Sequence, residues 1–176
     1  MKTWYWSYVI GYGFAVIGGH VATKLVVQKA WKAVGWRGTE DRAIRPDAWQ
    51  PETVGILERL LYVAALQFAH AEFVGLWLAI KTAGQWKRWN EETQIPGRHS
   101  ISGRSVYQNF LIGNAVSILY SFVGFKLIDW ISKQQWLLSY LVAASVLLLT
   151  GILWIRIPAG VQQPTTEKAN RVRASG

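Results

Sequence analysis

Cysteine is absent from the 176 residues. Disulfides, thiolate metal sites and cysteine nucleophiles are therefore excluded, and the redox compartment cannot be read from the composition. Charge is also scarce: 16% of residues are Asp, Glu, Lys or Arg, against about 25% in an ordinary soluble domain. The deficit comes in blocks. Thr3 to Thr23, Ser105 to Phe125 and Gln134 to Ile155 contain no formal charge at all. Each block reaches the roughly 20 residues that a helix needs to cross a hydrocarbon core about 30 Å thick.

Other absences narrow the chemistry. The aspartates are Asp41, Asp47 and Asp129 alone, all in loops or at the ends of apolar runs, so a membrane enzyme built on paired aspartates has nothing to use. The histidines are His20, His70 and His99, without the H-x-x-x-H spacing of a helical zinc site. No G-x-S-x-G nucleophile elbow is present. The segment Gly97 to Ser105 has five residues between its glycines and Arg104 where a phosphate loop has Lys. No metal and no cofactor is expected.

What is abundant agrees with lipid. Eleven Trp and seven Tyr are many for this length; the Trp bracket the apolar runs, as in Trp4, Trp6, Trp31, Trp36, Trp130 and Trp154, and such rings favour the membrane–water interface. The net charge of +9 would indicate nucleic acid on a soluble domain. Here the cations flank apolar runs, so anionic lipid headgroups are the expected partner and nucleic acid is not.

The chain therefore reads as all-α, a bundle of about four transmembrane helices over 3–23, 54–80, 105–125 and 134–155. The first run is expected to remain as a signal anchor, because no small-x-small cleavage site follows it. Lys24 to Trp36 places Val26, Val27, Ala30, Trp31 and Val34 at helical spacing and is expected to be an interfacial amphipathic helix. Pro51 and Glu52 mark a helix start. Lys81 to Arg104 reads as a basic connector with a turn at Pro96-Gly97. Residues 157–176 read as a basic, disordered tail. With four spans, one side carries ten Lys and Arg and the other eight, so the positive-inside rule places both termini in the cytoplasm of an inner membrane.

Small residues recur at helical spacing: Ser7, Gly11, Ala15 and Gly19 in the first span, Gly113, Ser117 and Ser121 in the third, Gly151 in the fourth. Such stripes let helices approach closely, either within one bundle or between copies of the chain. Asn109 and Asn114 need hydrogen-bond partners in hydrocarbon.

The second span carries the strongest chemical signal. It holds Glu58, Arg59, His70 and Glu72 and ends in Lys81. A charge at the middle of a span costs at least ~2.5–3.5 kcal/mol on the lenient insertion scale. On a single helix over 54–80, Glu58 and Glu72 fall about 40° apart, and Glu72 and His70 fall near the bilayer centre. Three roles are open for them: fixing an assembly, lining a path for protons or cations, or catalysis.

Leu57-Glu58-Arg59-Leu60, the Lys81 at a span end, and Ile112-Gly113-Asn114-Ala115-Val116-Ser117 together resemble a loose group of bacterial multi-pass inner-membrane proteins to which no reaction is assigned. The likeness covers about residues 55–125, with Asn114 where that pattern has Thr. It implies a bacterial inner-membrane location and points to Glu58, Arg59, Lys81, Gly113 and Ser117. The reading that follows is a membrane-embedded interaction or scaffold subunit, joined to a second copy or another membrane protein. A small proton- or ion-conducting protein is the alternative, and an intramembrane enzyme comes third.

Overall fold

The computed structural model describes residues 3–34, 49–90 and 102–158. They are helical throughout, apart from turns and helix ends. Helix α1 (Thr3–Gly13), a π-helical turn (Phe14–Gly18) and α2 (Gly19–Ala33) run on as one rod. They are followed by α3 (Trp49–Gln67), α4 (Glu72–Asn90), α5 (Gly103–Ser132) and α6 (Trp136–Arg156). Three stretches are long and apolar enough to cross a membrane: Trp4–Ala33, Gly103–Ser132 and Trp136–Arg156. The expected turn at Pro96-Gly97 and most of the expected tail lie outside the described residues.

The first rod and α5 lie antiparallel and touch backbone to backbone. A Cβ on Gly11 would come within 2.5 Å of the Gly124 carbonyl oxygen, and a Cβ on Gly124 within 2.8 Å of the Ala15 Cβ. Further along, Gly113 faces Val27 and Thr23. The stripe of Gly11, Ala15 and Gly19 is thus used inside the chain, against α5 and α3. Ser7 is buried and its hydroxyl donates to the Trp4 carbonyl. Gly151, the small residue expected to pack in the last span, has no neighbour within 4 Å of its Cβ position. Its face of α6 is open.

Of the expected amphipathic helix at 24–36, residues 24–33 are the outer end of the same rod, and 35–36 lie outside the described residues. Gly18 keeps helical angles (φ −60°, ψ −47°), so nothing turns the chain onto a surface. Ala22, Val26 and Ala30 are buried, and the first two join Val116, Tyr120, Val123 and Leu127 of α5 in the main core. Tyr120 stacks on Phe14 with ring centroids 5.2 Å apart, and its hydroxyl lies 3.0 Å from that of Thr150. One buried ring thereby joins three elements.

The main departure concerns 54–80. It is two helices, not one span. The chain turns at Phe68–Ala71, where Ala69 has φ 60°. The Ala69 N–H donates to the Leu66 carbonyl (3.3 Å) and the His70 N–H to the Ala65 carbonyl (2.8 Å). That pair is the Schellman stop, which usually places Gly in the left-handed position. The α5–α6 turn repeats the device with Gln134 at φ 60° and a Gln135 N–H to Trp130 carbonyl bond of 2.8 Å. Neither turn carries Gly or Pro, so an apolar run conceals the first. After it, α4 restarts with Glu72 in its first turn, where the helix dipole favours an acid.

Side-chain pairs set the directions. Lys24 pairs with Glu52 at 3.3 Å, and the Tyr12 hydroxyl donates to Gln67 at 3.2 Å, so α3 is antiparallel to the first rod. Lys81 meets Glu58, so α4 returns beside α3. Lys29 donates to the Trp154 carbonyl and lies 4.0 Å from that ring's centroid. The ends at Ala33, Trp49, Asn90, Gly103 and Arg156 therefore share one face. Thr3, Ser132 and Trp136 belong to the opposite face, toward which the hairpin turn points.

The turn gives a test whose sign is diagnostic. Glycine within a continuous helix costs about 1 kcal/mol, whereas relief of a left-handed alanine is worth roughly 1–2 kcal/mol. Ala69→Gly is expected to raise the melting temperature of detergent-purified protein, read by intrinsic Trp fluorescence. A fall would restore the single span. Gly124→Val, by contrast, is expected to lower it, through the roughly 1–3 kcal/mol of destabilisation typical of overpacking, and Gly151→Ala, with open space at its Cβ, to raise it slightly by removing a mid-helix glycine.

Candidate functional site

The hairpin brings Glu58 of α3 opposite Lys81 of α4, and both against α5. The Lys81 ammonium lies 2.7 Å from Glu58 Oε1 and donates to Oε2 at 2.9 Å. Trp77, one turn before Lys81, donates its indole N–H to Oε1 at 2.9 Å. Lys81 also donates to Asn114 Oδ1 at 3.0 Å, and the Asn114 amide donates to the Phe110 carbonyl at 2.7 Å. The Phe110 ring lies 5.3 Å from the ammonium. The Glu58 side chain is only 4% exposed. A carboxylate this buried stays ionised at tolerable cost only when paired and hydrogen-bonded, and here three donor contacts from two side chains satisfy it.

Arg59 turns the other way, into the seam between the first rod and α5. Its Nη1 donates to Ser117 Oγ at 3.0 Å, and Ser117 Oγ lies 3.4 Å from Thr23 Oγ1. Gly19 makes room for it, since a Cβ there would lie 2.8 Å from Arg59 Cδ. Ser121 donates to the Ser117 carbonyl. Among the described residues no carboxylate is within ion-pair distance of the guanidinium, and its Nε has no partner. Tyr62 Oη and Gln67 Nε2, further along α3, are likewise buried without partners. The Asn109 amide nitrogen is a fourth such atom, on α5.

Glu72 and His70, the pair expected at the centre, are elsewhere. They sit on the hairpin turn, 3.0 Å apart, with side chains 75% and 69% exposed. The left-handed Ala69 ends the helix before it reaches them. The five positions singled out by the resemblance gather at one level instead. Glu58 pairs with Lys81, Arg59 binds Ser117, and Gly113 packs on α2 beside Thr23. Asn114 joins them through Lys81. Trp77 was missed. Its only sequence signal is its i, i+4 spacing from Lys81, which puts both on one helix face.

This arrangement holds helices together. The acceptors of Glu58 and the donors of Lys81 are directed at protein groups. No group of three or more His, Asp or Glu suited to a metal ion occurs among the described residues. No known protein family, no curated protein and no solved structure matches the chain.

Removing one member of a buried ion pair costs about 3–5 kcal/mol, because its partner stays charged and unpaired. Glu58→Gln is therefore expected to depress the melting temperature and the membrane abundance sharply, and Glu58→Gln/Lys81→Met to regain most of the loss. Glu72→Gln, on an exposed turn, is expected to stay within about 0.5 kcal/mol of wild type. Equal losses at Glu58 and Glu72 would contradict this assignment.

Proposed function

We propose that the protein is a multi-pass subunit of a bacterial inner membrane that serves as an interaction or scaffold element, with the α3–α4 hairpin as its fixed insert. In this reading three rods cross the bilayer, and the hairpin enters and leaves by the face that bears Trp49 and Asn90. From the Glu58–Lys81 level to the turn is eleven or twelve residues, roughly 17 Å at 1.5 Å each. The hairpin thus reaches well into a core about 30 Å thick.

The observation that carries the proposal is that Glu58 and Lys81 saturate each other and Asn114, so the ionised groups at the centre serve cohesion. Around them the outer face of α6 presents Leu137, Tyr140, Leu141, Leu148 and Ile155, all more than half exposed. Such a face suits lipid or another membrane protein.

Conduction is the second reading, and one observation favours it. Arg59 Nε, Tyr62 Oη and Gln67 Nε2 are unsatisfied along one helix, as they would be beside a file of water.

The two readings part in one experiment. Wild-type protein and Arg59→Gln are expressed at matched levels in bacteria. Membrane potential is followed with a voltage-sensitive dye, and assembly size is read from mild-detergent extracts on native gels. The scaffold reading expects an unchanged potential and an assembly larger than the monomer. Depolarisation by wild type that Arg59→Gln abolishes, with the chain monomeric, would give the role to conduction.

A further inference from the structure

A returning hairpin changes how the cations divide between the two sides. With an unbroken second span they split ten to eight. With α3 and α4 entering and leaving by one face, three rods cross and the termini fall on opposite sides. The face holding the ends of α2, α3, α4 and α6 and the start of α5 then gathers Lys24, Lys29, Lys32, Arg104 and Arg156. The last turn of α4 adds Lys87 and Arg88. That makes seven Lys and Arg among the described residues. Among the described residues the opposite face has Lys126 and Lys133, while Arg59 and Lys81 are inside the hairpin site.

We propose that this face is the cytoplasmic one, with the N-terminus outside and the C-terminus inside, and that it docks on the anionic phospholipid headgroups of the inner leaflet. Among the described residues, seven against two is a decided bias on the positive-inside rule. Part of the surface is laid out in the described helices. Lys29 spans from α2 to the last turn of α6, against the carbonyl and ring of Trp154. Lys32 lies one turn further out on α2, and Arg156 closes α6, both exposed. A tryptophan beside lysines and an arginine at two neighbouring helix ends matches the interface, where the ring sits at headgroup depth and the cations meet phosphate. The occupant is lipid phosphate because the cations rim the ends of apolar rods, at the depth where headgroups lie.

The inference rests on the helices being membrane-inserted, and its tests separate the two. The absence of cysteine permits single-cysteine labelling without background. Thr3→Cys and Gly176→Cys variants are treated with a membrane-impermeant maleimide, in intact spheroplasts and after lysis. We expect Thr3→Cys to label in intact cells and Gly176→Cys only after lysis. Equal labelling of the two termini in intact cells would overturn the orientation while leaving membrane insertion standing. Extraction of the protein by alkaline carbonate would remove the insertion itself.

For the docking surface, protein is placed in nanodiscs of phosphatidylcholine alone or with one third phosphatidylglycerol. The phosphatidylglycerol discs are expected to raise the melting temperature by several degrees. That gain should fade in 0.5 M salt and shrink by at least half in Lys32→Gln/Arg156→Gln, which leaves the Lys29 contact intact. A melting temperature indifferent to phosphatidylglycerol would overturn the docking proposal.

Discussion

A carboxylate buried inside an apolar helical bundle requires a partner charge at contact distance, and most of this architecture follows from how Glu58 finds one. Its own helix cannot supply it. Arg59, the adjacent residue, projects into the seam with the first rod and binds Ser117. The partner is Lys81, 23 positions on in the sequence, and it reaches Glu58 only because the chain reverses between them. Ion pair and hairpin thus stabilise each other. The turn brings the lysine back, and the pair keeps two short helices together where their other mutual contacts are few. Asn114, which accepts from Lys81, then ties the hairpin to α5.

Around that centre, α5 acts as the axle. Its Gly124 meets Gly11 at backbone distance, its Gly113 faces Val27, and its Tyr120 joins Phe14 and Thr150. Helices in lipid gain little from hydrophobicity and associate through close contact and hydrogen bonds. The small-residue stripes are consumed by these contacts, while the face of α6 that includes Gly151 is left open. The glycines do structural work where two backbones cross, and the periodicity of small residues alone did not separate those crossings from Gly151.

Much of the site was legible before any coordinates. Glu58, Arg59, Lys81, Gly113 and Ser117 stand in the segments read by resemblance, and Asn114 is marked by its own polarity. The emphasis on Glu72 and His70 failed for a definite reason. It assumed one helix from 54 to 80, and the stop lies at an alanine in a conformation that usually marks itself with glycine. A left-handed alanine leaves no trace in hydropathy. Once the helix breaks there, Glu72 passes from the middle of a span to the tip of a turn, and the angular relation of Glu58 to Glu72 loses its meaning.

The sequence by itself determined the helical class and three uninterrupted apolar runs long enough to cross a membrane. Those depend on composition and run length, and a single helix satisfies its backbone locally whatever its neighbours do. It also determined which polar residues must find partners. Only the tertiary structure decided which partners those are and that the second apolar stretch doubles back. Those outcomes depend on contacts between residues distant in the chain and on the backbone angles of a few turn residues, and neither is encoded in local hydropathy or periodicity.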